Sequence, residues 1–255
     1  MSELVNVQYL DGIMVITVNR PAARNAITID CAHAMSEAFE ELDRRDDVRI
    51  GILTGAGNTF SSGMDLKDFA RTGKRSLVPG KGFAGLNEAP PKKPLIAAVE
   101  GYALAGGFEM MLACDLVVAA NNAMFGLPEV KRGLVAGSGG MLRLPRHIPY
   151  RIAMEIVLTG DMLSAERAHH FGLINVITEP GGALQGAIDL ARRICENGPL
   201  AVQVAKQVVS KSLDFDQETM FDQQRPMIAP VFASEDAREG SLAFAEKRKP
   251  LWKGK

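Results

Sequence analysis

Hydrophobic and polar residues near the N-terminus follow the pattern of two short β-strands. The segments LVNVQYL and IMVITV lie on either side of Asp11-Gly12, a dipeptide that favours a tight turn, and together they predict a β-hairpin. Further along, VRIGILTG, PLIAAVEG and CDLVVAA are short apolar runs bounded by glycine or charged residues. Runs of this length and composition are typical of buried strands.

Between these strands, apolar residues recur at helical spacing. Thr28 can cap a helix, and its apolar face is predicted to consist of Ile29, Ala32, Met35, Ala38, Phe39 and Leu42. The segment LAGGFEMMLA predicts a second helix between two of the apolar runs. Because strands alternate with helices, we expect crossover connections and parallel pairing of the strands.

The pattern changes twice later in the chain. From Ala70 to Pro94 the sequence mixes Gly, Pro, Lys and Arg, which predicts a mobile surface loop. After Pro128 strand patterns nearly vanish, and the helical segments predicted are RIAMEIVLTG, SAERAHHFG, GALQGAIDLARRICEN, PLAVQVAKQVVSKSL and SEDAREGSLAFAEKRKP. We therefore expect an α/β core over residues 1–190 and a helical C-terminal region over residues 191–255.

Composition narrows the class of protein. The chain has 255 residues, 47% of them hydrophobic, and a net charge of −1, so neither nucleic acid nor an anionic membrane is expected as the main partner. Cys31, Cys114 and Cys195 are widely spaced and predict reduced thiols. No signal peptide or membrane-spanning run is present in the sequence, and a cytoplasmic location is expected.

Several catalytic motifs are missing or incomplete. The patterns GxGxxG, GxxxxGK[ST] and HExxH do not occur, and the four histidines do not form a ligand set, so no metal is expected. The segment AGSGG nearly matches the nucleophile elbow of serine hydrolases and makes Ser138 a candidate nucleophile. A poor strand pattern precedes it, which favours a glycine-rich turn entering a helix instead.

Two glycine-containing turns follow predicted strands, in NTFSSGMDLKDF and GYALAGGFEMML. Such turns can present unpaired backbone amides at the start of a helix, and two of them could form an oxyanion hole. Glu109 is the one charge in the second turn and has no partner nearby in the sequence. Packing glycines and a helix carboxylate paired with a distant Lys or Arg are the alternative interpretation.

Four ordered motifs carry a resemblance to a known family: GNTFSSGMDLKDF, EGYALAGGFEMMLACDLVVAA, FGLPEVKRGLVAGSGGMLRLPR and LTGDMLSAERAHHFGLINVI. In order and spacing they resemble the enoyl-CoA hydratase/isomerase (crotonase) superfamily over nearly the whole chain. The segments GGFEM and SGGMLRLP are most similar in sequence to its crotonobetainyl/carnitinyl-CoA hydratase branch. The resemblance implies a spiral of repeated ββα units followed by helices that mediate trimerisation.

The resemblance also implies an activity and its residues. The oxyanion amides fall on Met64 and Gly106, and the two family carboxylates fall on Glu109 and Glu129. Presence of both carboxylates implies reversible hydration of a 2-enoyl-CoA to the 3-hydroxyacyl-CoA, with Glu109 mainly activating water and Glu129 mainly transferring the proton at C2. Because the pair shares protons, this division of roles is open.

Binding residues follow from the same resemblance. The segment that contacts CoA is carried over onto Ala22, Ala23, Arg24, Ser62, Asp65 and Leu66, and Lys247 matches a helix beside the CoA of a neighbouring subunit. No cofactor is implied, since CoA arrives with the substrate, and a homotrimer or a dimer of trimers is expected. The Ala70–Pro91 loop is expected to cover the acyl tail.

This sequence departs from the hydratase pattern at Ala136, where proline is frequent, and at Arg132, where an aliphatic residue is common. Both departures lie near the expected acyl pocket, so the acyl group is open. Other activities are also open: Δ3,Δ2-enoyl-CoA isomerisation through Glu129, carnitinyl-CoA dehydration, hydrolysis through Ser138, or binding of acyl-CoA without turnover.

Overall fold

A computed structural model describes residues 3–255. Its strands are β1 (Val5–Leu10), β2 (Ile13–Val18), β3 (Ile50–Gly55), β4 (Leu77–Val78), β5 (Gly82–Phe83), β6 (Leu95–Val99), β7 (Tyr102–Leu104), β8 (Leu116–Ala120), β9 (Met124–Gly126), β10 (Leu163–Ser164) and β11 (Val176–Thr178). Its α-helices are α1 (Ile29–Arg44), α2 (Leu66–Thr72), α3 (Gly106–Leu112), α4 (Gly140–His147), α5 (Tyr150–Thr159), α6 (Ala165–His170), α7 (Ala183–Cys195), α8 (Pro199–Lys211), α9 (Met220–Phe232) and α10 (Glu235–Glu246).

Six strands form the main sheet in the order β1-β2-β3-β6-β8-β11. The predicted hairpin is confirmed, since β1 and β2 pair antiparallel with Leu10 opposite Ile13. Every other neighbouring pair is parallel, as the alternation of strands and helices predicts. The result is an α/β sheet with one antiparallel edge strand.

The central strands β2, β3, β6 and β8 are buried on both faces, which explains why they are continuous apolar runs rather than alternating ones. Met14 and Ile16 point to one face and share a core cluster with the α1 residue Met35. Ile13 and Val15 point to the other face and belong to a second core cluster. Residues of α7 complete this cluster: Ala187, Ile188 and Ala191. Thr28 caps α1 as predicted, its side chain accepting from the amide of Cys31 at 3.3 Å.

A second layer is built from short strands that each follow a main-sheet strand. After β6 the chain turns at Gly101 into β7, and after β8 it turns into β9, which pairs parallel with β7. Gly101 has φ +55°, and a Cβ there would lie 2.2 Å from the carbonyl oxygen of Asn58, so only glycine fits this turn. Each strand–turn–strand unit then leads into a helix, α3 or a 3₁₀ helix at Pro128–Arg132. The repeated ββα units therefore bring several helix starts to one edge of the second layer.

The expectation of a mobile surface loop over residues 70–94 is wrong for its middle. β4 and β5 form a small hairpin there, and Phe83, Ala84 and Leu86 are buried in the main core. The glycines of this segment supply backbone geometry rather than mobility: Gly85 has φ +67°, and a Cβ on it would meet the backbone of α1 at Ser36. Composition suggested a loop because these few apolar side chains are separated by Gly and Pro.

The C-terminal helices were predicted except α9, whose sequence contains Pro226 and Pro230. Proline disfavours helix interiors, so the pattern was missed there. α7 runs through residue 190 and packs on the main sheet, while the division at that residue stays a prediction. The chain end packs back onto this region, since the Trp252 indole donates to the carbonyl of Glu196 at 2.8 Å.

The three cysteines are free thiols, as predicted: Cys31 and Cys114 are buried and Cys195 is half-buried. His169 and His170 are exposed at the end of α6. Among residues 3–255, no helix combines the length and the apolarity that a membrane span requires.

Asn25 organises the loops that lead to the second layer. It is fully buried with φ +53°, a conformation that asparagine tolerates better than most residues. Its side-chain amide donates to the carbonyls of Ala56 and Thr59 at 2.9 and 2.6 Å, and its Oδ1 accepts from the amide of Arg20 at 2.9 Å. One side chain thus ties the segment after β2 to the segment after β3.

Replacing Asn25 by alanine should lower the free energy of unfolding by roughly 2–4 kcal/mol, because buried backbone groups lose their partners. The midpoint of urea unfolding, followed by circular dichroism, measures this. Asn121→Ala is the matched control, since the Asn121 side chain is exposed and donates to Glu179 alone. Equal effects of the two substitutions would contradict the role assigned to Asn25.

Candidate active site

One cavity of about 910 Å³ opens at the edge of the second layer. Four segments line it, within residues 22–26, 62–69, 104–109 and 128–138, together with Arg75 and Phe83. The predicted residues Met64, Gly106, Glu109 and Glu129 all line this cavity. Residues spread over 65 positions of sequence therefore meet at one place because β3, β6 and β8 end side by side.

The two glycine turns lie against each other. The segment after β3 pairs with β7, since the amide of Ser61 donates to Tyr102 and the amide of Leu104 donates to Ser61, both at 3.0 Å. Within the described residues 3–255, the amides of Met64 and Gly106 have no hydrogen-bond acceptor. Two free N–H groups at adjacent turns match the requirements of an oxyanion hole.

Small residues make this close approach possible. Gly63 has φ +88°, and a Cβ on it would lie 2.8 Å from the nitrogen of Gly106. A Cβ on Gly107 would lie 2.3 Å from the carbonyl oxygen of Ser61. Ala105, just before the helix, has φ +50° and ψ −128°, a conformation that strains a residue with a Cβ by about 1–3 kcal/mol. The strained residue directly precedes the free amide of Gly106.

Glu109 is one helical turn further along α3, and 3% of its surface is exposed. Its Oε1 accepts from the amides of Ser138 and Gly140 at 2.7 and 2.9 Å. Burial raises the pKa of Glu109, while those two amides and the nearby Arg75 and Arg143 act in the opposite direction. Two amides at the start of α4 thus stabilise a buried carboxylate in its ionised form.

Glu129 lies in the 3₁₀ helix and has a different environment. Its Oε2 is buried and has no hydrogen-bond partner among residues 3–255. Burial raises the pKa of Glu129 to about 7, the charge of Glu109 adds to the rise, and Arg132 opposes it. A carboxyl group in such a place holds its proton up to about pH 7, well above the ordinary range, whereas Glu109 has two donors for its charge.

The residues predicted to bind CoA divide into two groups. Ala22, Ala23, Arg24, Ser62, Asp65 and Leu66 line the same cavity. The Asp65 carboxylate is already used, since it caps α2 and pairs with Arg20 at 3.0 Å. Lys247 is elsewhere, exposed at the end of α10 and outside the cavity, so its contact with a neighbouring subunit's CoA stays a prediction.

The sequence alone did not identify the groups that hold Glu109. Ser138 was considered for its hydroxyl, yet its main-chain amide contacts Glu109. The segment before it is a 3₁₀ helix and a loop rather than the strand of a nucleophile elbow. Asn87 supports the same segment, its side chain donating to the carbonyl of Ser138 at 2.6 Å, and Arg143 donates to the carbonyl of Asn87 at 2.6 Å. Only the glycines of AGSGG signalled a close backbone approach.

A metal has no evident place in this site. Within residues 3–255 no group of three His, Cys, Asp or Glu side chains could hold a metal ion. The groups that line the cavity are backbone amides, carboxyl groups and a few cations.

Comparison with known proteins establishes the family. The family description enoyl-CoA hydratase/isomerase matches residues 9–255. A carnitinyl-CoA dehydratase from Salmonella arizonae is 44% identical over an alignment of 264 residues that covers all of both chains. The chain belongs to the enoyl-CoA hydratase/isomerase family.

Solved structures agree on the fold. The structure of an enoyl-CoA hydratase from Mycobacterium marinum is 54% identical and covers both chains completely with a TM-score of 0.97. A carnitinyl-CoA hydratase from Mycobacterium avium is 41% identical, again over both full chains, with a TM-score of 0.79. The expected crotonase fold is confirmed, and enzymes of this family generally need no cofactor besides the CoA of their substrate.

Gly63→Ala should lower kcat by about 100- to 1000-fold, the usual result of losing one oxyanion donor, because the added Cβ collides with the Gly106 amide. Steady-state kinetics with crotonyl-CoA measures the effect. Gly172→Ala is the control, since Gly172 also has positive φ, +78°, but nothing lies within 4 Å of its added Cβ. A Gly63 variant as active as the Gly172 variant would disprove the assignment.

Proposed function

We propose that this protein catalyses the reversible addition of water to a 2-enoyl-CoA thioester, giving the 3-hydroxyacyl-CoA. One observation carries the proposal: two unpaired amides and two carboxyl groups with different environments line a single cavity. An isomerase needs one carboxyl group, whereas hydration needs one group for water and one for the proton at C2. Family membership and the hydratases of the same fold agree with this choice.

The amides of Met64 and Gly106 are assigned to the thioester carbonyl oxygen. When the oxygen of water bonds to C3, electrons of the C2–C3 double bond shift toward that carbonyl and charge builds on its oxygen. Preorganised donors stabilise this charge without reorganising, and that is usually the largest single contribution to such catalysis. The strained Ala105 helps to hold the Gly106 amide toward the cavity.

Glu109 is assigned to the water. The amides of Ser138 and Gly140 both donate to Oε1 of Glu109. Its Oε2 makes no hydrogen bond within residues 3–255 and can accept one from a water molecule. Glu129 is assigned to the proton that reaches C2, because burial keeps its carboxyl group protonated near neutral pH. Water gives its hydroxyl to C3 and its proton to Glu109, and Glu129 gives a proton to C2, so atoms and charge balance.

Carnitinyl-CoA dehydration is the second candidate. It is favoured by the curated relatives of that name, such as the Salmonella arizonae protein at 44% identity. The same pair of glutamates would run the reaction in the direction of water loss. The two candidates differ in the acyl group rather than in the chemistry.

Subunit assembly and location complete the proposal. The C-terminal helices carry exposed apolar side chains, among them Phe221, Phe232 and Phe244 at 61%, 78% and 88% exposure. Exposed apolar side chains of this size support the expected homotrimer or dimer of trimers, whose interface would cover them. A cytoplasmic location stays a prediction from the sequence.

Glu109→Gln and Glu129→Gln should each lower kcat by at least about 100-fold, the size typical of losing an acid or base. Loss of crotonyl-CoA absorbance on hydration measures this. Glu166→Gln, at an exposed position on α6, is the matched control. A decrease of only a few-fold for either active-site variant would exclude that residue from the chemistry.

The serine-hydrolase alternative has its own comparison. Ser138→Ala removes the hydroxyl but keeps the amide that binds Glu109, so turnover should change only a few-fold. Loss of activity in this variant, with full activity retained in Glu109→Gln, would favour the hydrolase instead.

The pH dependence of kcat/KM should show a fall as pH rises through about 7, the pKa of Glu129. The active enzyme carries one proton on the pair, on Glu129 for hydration and on Glu109 for dehydration, and both forms lose it at higher pH. The fall should therefore appear in both directions, with crotonyl-CoA and with 3-hydroxybutyryl-CoA. A profile that stays flat or rises through neutral pH would contradict the assigned acid.

The Arg132→Gln variant tests the direction in which Arg132 shifts the pKa of Glu129. Arg132 lowers the pKa of Glu129, so its removal should raise that pKa and move the fall to higher pH. Circular dichroism across the same pH range separates titration of the site from unfolding.

A further inference from the structure

Three exposed arginines of the active-site cavity have no anionic partner among residues 3–255: Arg24, which lies in a segment assigned to CoA, and Arg75 and Arg132, which do not. Arg75 and Arg132 are exposed to the cavity, and within residues 3–255 neither guanidinium makes a salt bridge or a hydrogen bond. By contrast Arg20 and Arg143 near the site have partners, Asp65 and the carbonyl of Asn87. A guanidinium carries five donors and is suited to bind a carboxylate through two of them.

Both arginines lie beside the catalytic carboxyl groups. A Cβ built on Gly137 would lie 3.5 Å from Nη2 of Arg75, which places that guanidinium against the loop whose next amide holds Glu109. Arg132 is three residues after Glu129 in the same 3₁₀ helix. Their charges act on Glu109 and Glu129 respectively. The segments assigned to CoA, residues 22–24 and 62–66, are different ones, and the pantetheine arm separates CoA phosphates from the thioester.

The surrounding wall is apolar. Leu134 and Val135, at 52% and 63% exposure, line the cavity on the loop between Arg132 and Gly137. No acid lines this part of the cavity except the two glutamates needed for catalysis, since Asp65 is paired with Arg20. An acyl chain can lie on the apolar wall, and the guanidinium groups of Arg75 and Arg132 are available to bind a negatively charged group of that chain. A trimethylammonium group would find Phe69 and Phe83 but no carboxylate other than the two glutamates assigned to the reaction, and would be repelled by both arginines.

We propose that the acyl group of the natural substrate carries a carboxylate that Arg75 and Arg132 bind, so that the enzyme acts on ω-carboxy-2-enoyl-CoA thioesters. This inference rests on the proposed hydratase function for its reaction and deepens it by naming the acyl class. It also separates this protein from the acyl group in the name of its carnitinyl-CoA dehydratase relatives.

Binding of non-reactive saturated thioesters tests the charge preference without catalysis. The probes are the ω-carboxyacyl-CoAs from glutaryl-CoA to suberyl-CoA, their ω-methyl esters, and 4-trimethylammoniobutyryl-CoA, with Kd measured by isothermal titration calorimetry on the assembled wild-type protein. At the best chain length the carboxylate should bind about 10- to 100-fold more tightly than its ester, the size of one charge-assisted hydrogen bond. The trimethylammonium probe should bind more weakly than the ester of similar length.

The variants Arg75→Gln and Arg132→Gln should each reduce the carboxylate-to-ester ratio of Kd values toward one. Arg75→Lys and Arg132→Lys keep the charge but not the two-donor geometry, and should retain part of the ratio. Lys67→Gln is the matched control, because Lys67 is an exposed cation of the same cavity directly after the CoA segment 62–66. Its loss should weaken acid and ester equally and leave the ratio unchanged.

Other outcomes overturn the inference. Equal Kd values for acid and ester at every chain length would do so, as would a preference for the trimethylammonium probe. A ratio that survives both Gln variants would show that the arginines act only on the glutamates.

Turnover separates this inference from the proposed function. If the matching ω-carboxy-2-enoyl-CoA binds selectively but is not hydrated, the hydratase proposal fails while the charge preference stands. If neutral 2-enoyl-CoAs are hydrated as efficiently as the acid, the hydratase proposal stands and the acyl class assigned here is wrong.

Discussion

The site depends on the interaction between one buried carboxylate oxygen and two backbone amides. Glu109 lies inside a helix surrounded by Gly, Phe and Met, where an unpaired charge would be very costly. The amides of Ser138 and Gly140, at the start of α4, supply the donors that make this charge tolerable. The same segment is fixed by Asn87, whose side chain donates to the carbonyl of Ser138, and Arg143 in turn donates to the carbonyl of Asn87. The packing of α4 against α3 therefore also fixes the position of the Glu109 carboxylate.

That arrangement also separates the two glutamates. Glu109 has two amide donors for its charge, whereas the buried Oε2 of Glu129 has none, and burial raises the pKa of Glu129 despite the opposing effects of a backbone hydrogen bond and Arg132. Two carboxyl groups close together cannot both ionise easily, and unequal hydrogen bonding decides which one keeps the proton. The different tasks proposed for them follow from backbone geometry around otherwise identical side chains.

In the proposed mechanism, the cations around the two glutamates would link catalysis to recognition of the acyl group. Arg75 and Arg132 favour ionisation of the glutamates, and a bound carboxylate would partly neutralise them. A substrate with a negative acyl end would thus raise the proton affinity of the pair at the moment of binding. Relatives whose names describe other acyl groups share the fold and the chemistry, which fits a family in which loops around a constant core set the substrate.

Most of the fold and the family can be predicted from the sequence, and the predictions fail where local sequence patterns do not report tertiary packing. Strand and helix patterns over the first half predicted the hairpin, the parallel sheet and the helix carrying Glu109, because burial of both sheet faces leaves long apolar runs. The ordered motifs predict the family, and the resemblance points to Met64, Gly106, Glu109 and Glu129, which the structure brings to one cavity. Local pattern failed at α9, where prolines hide the helix, and in the buried segment around Phe83.

Contacts between distant segments are what only the tertiary structure decided. That Ser138 contacts Glu109, 29 residues earlier in the sequence, through its amide rather than its hydroxyl depends on where α4 begins relative to α3. That Arg75 faces the catalytic loop depends on the path of a hairpin whose composition suggested only a loop. Sequence determines which groups are available and which elements carry them. Their distances, burial and partners, and hence their pKa values, arise only when the sheet brings its strand ends together.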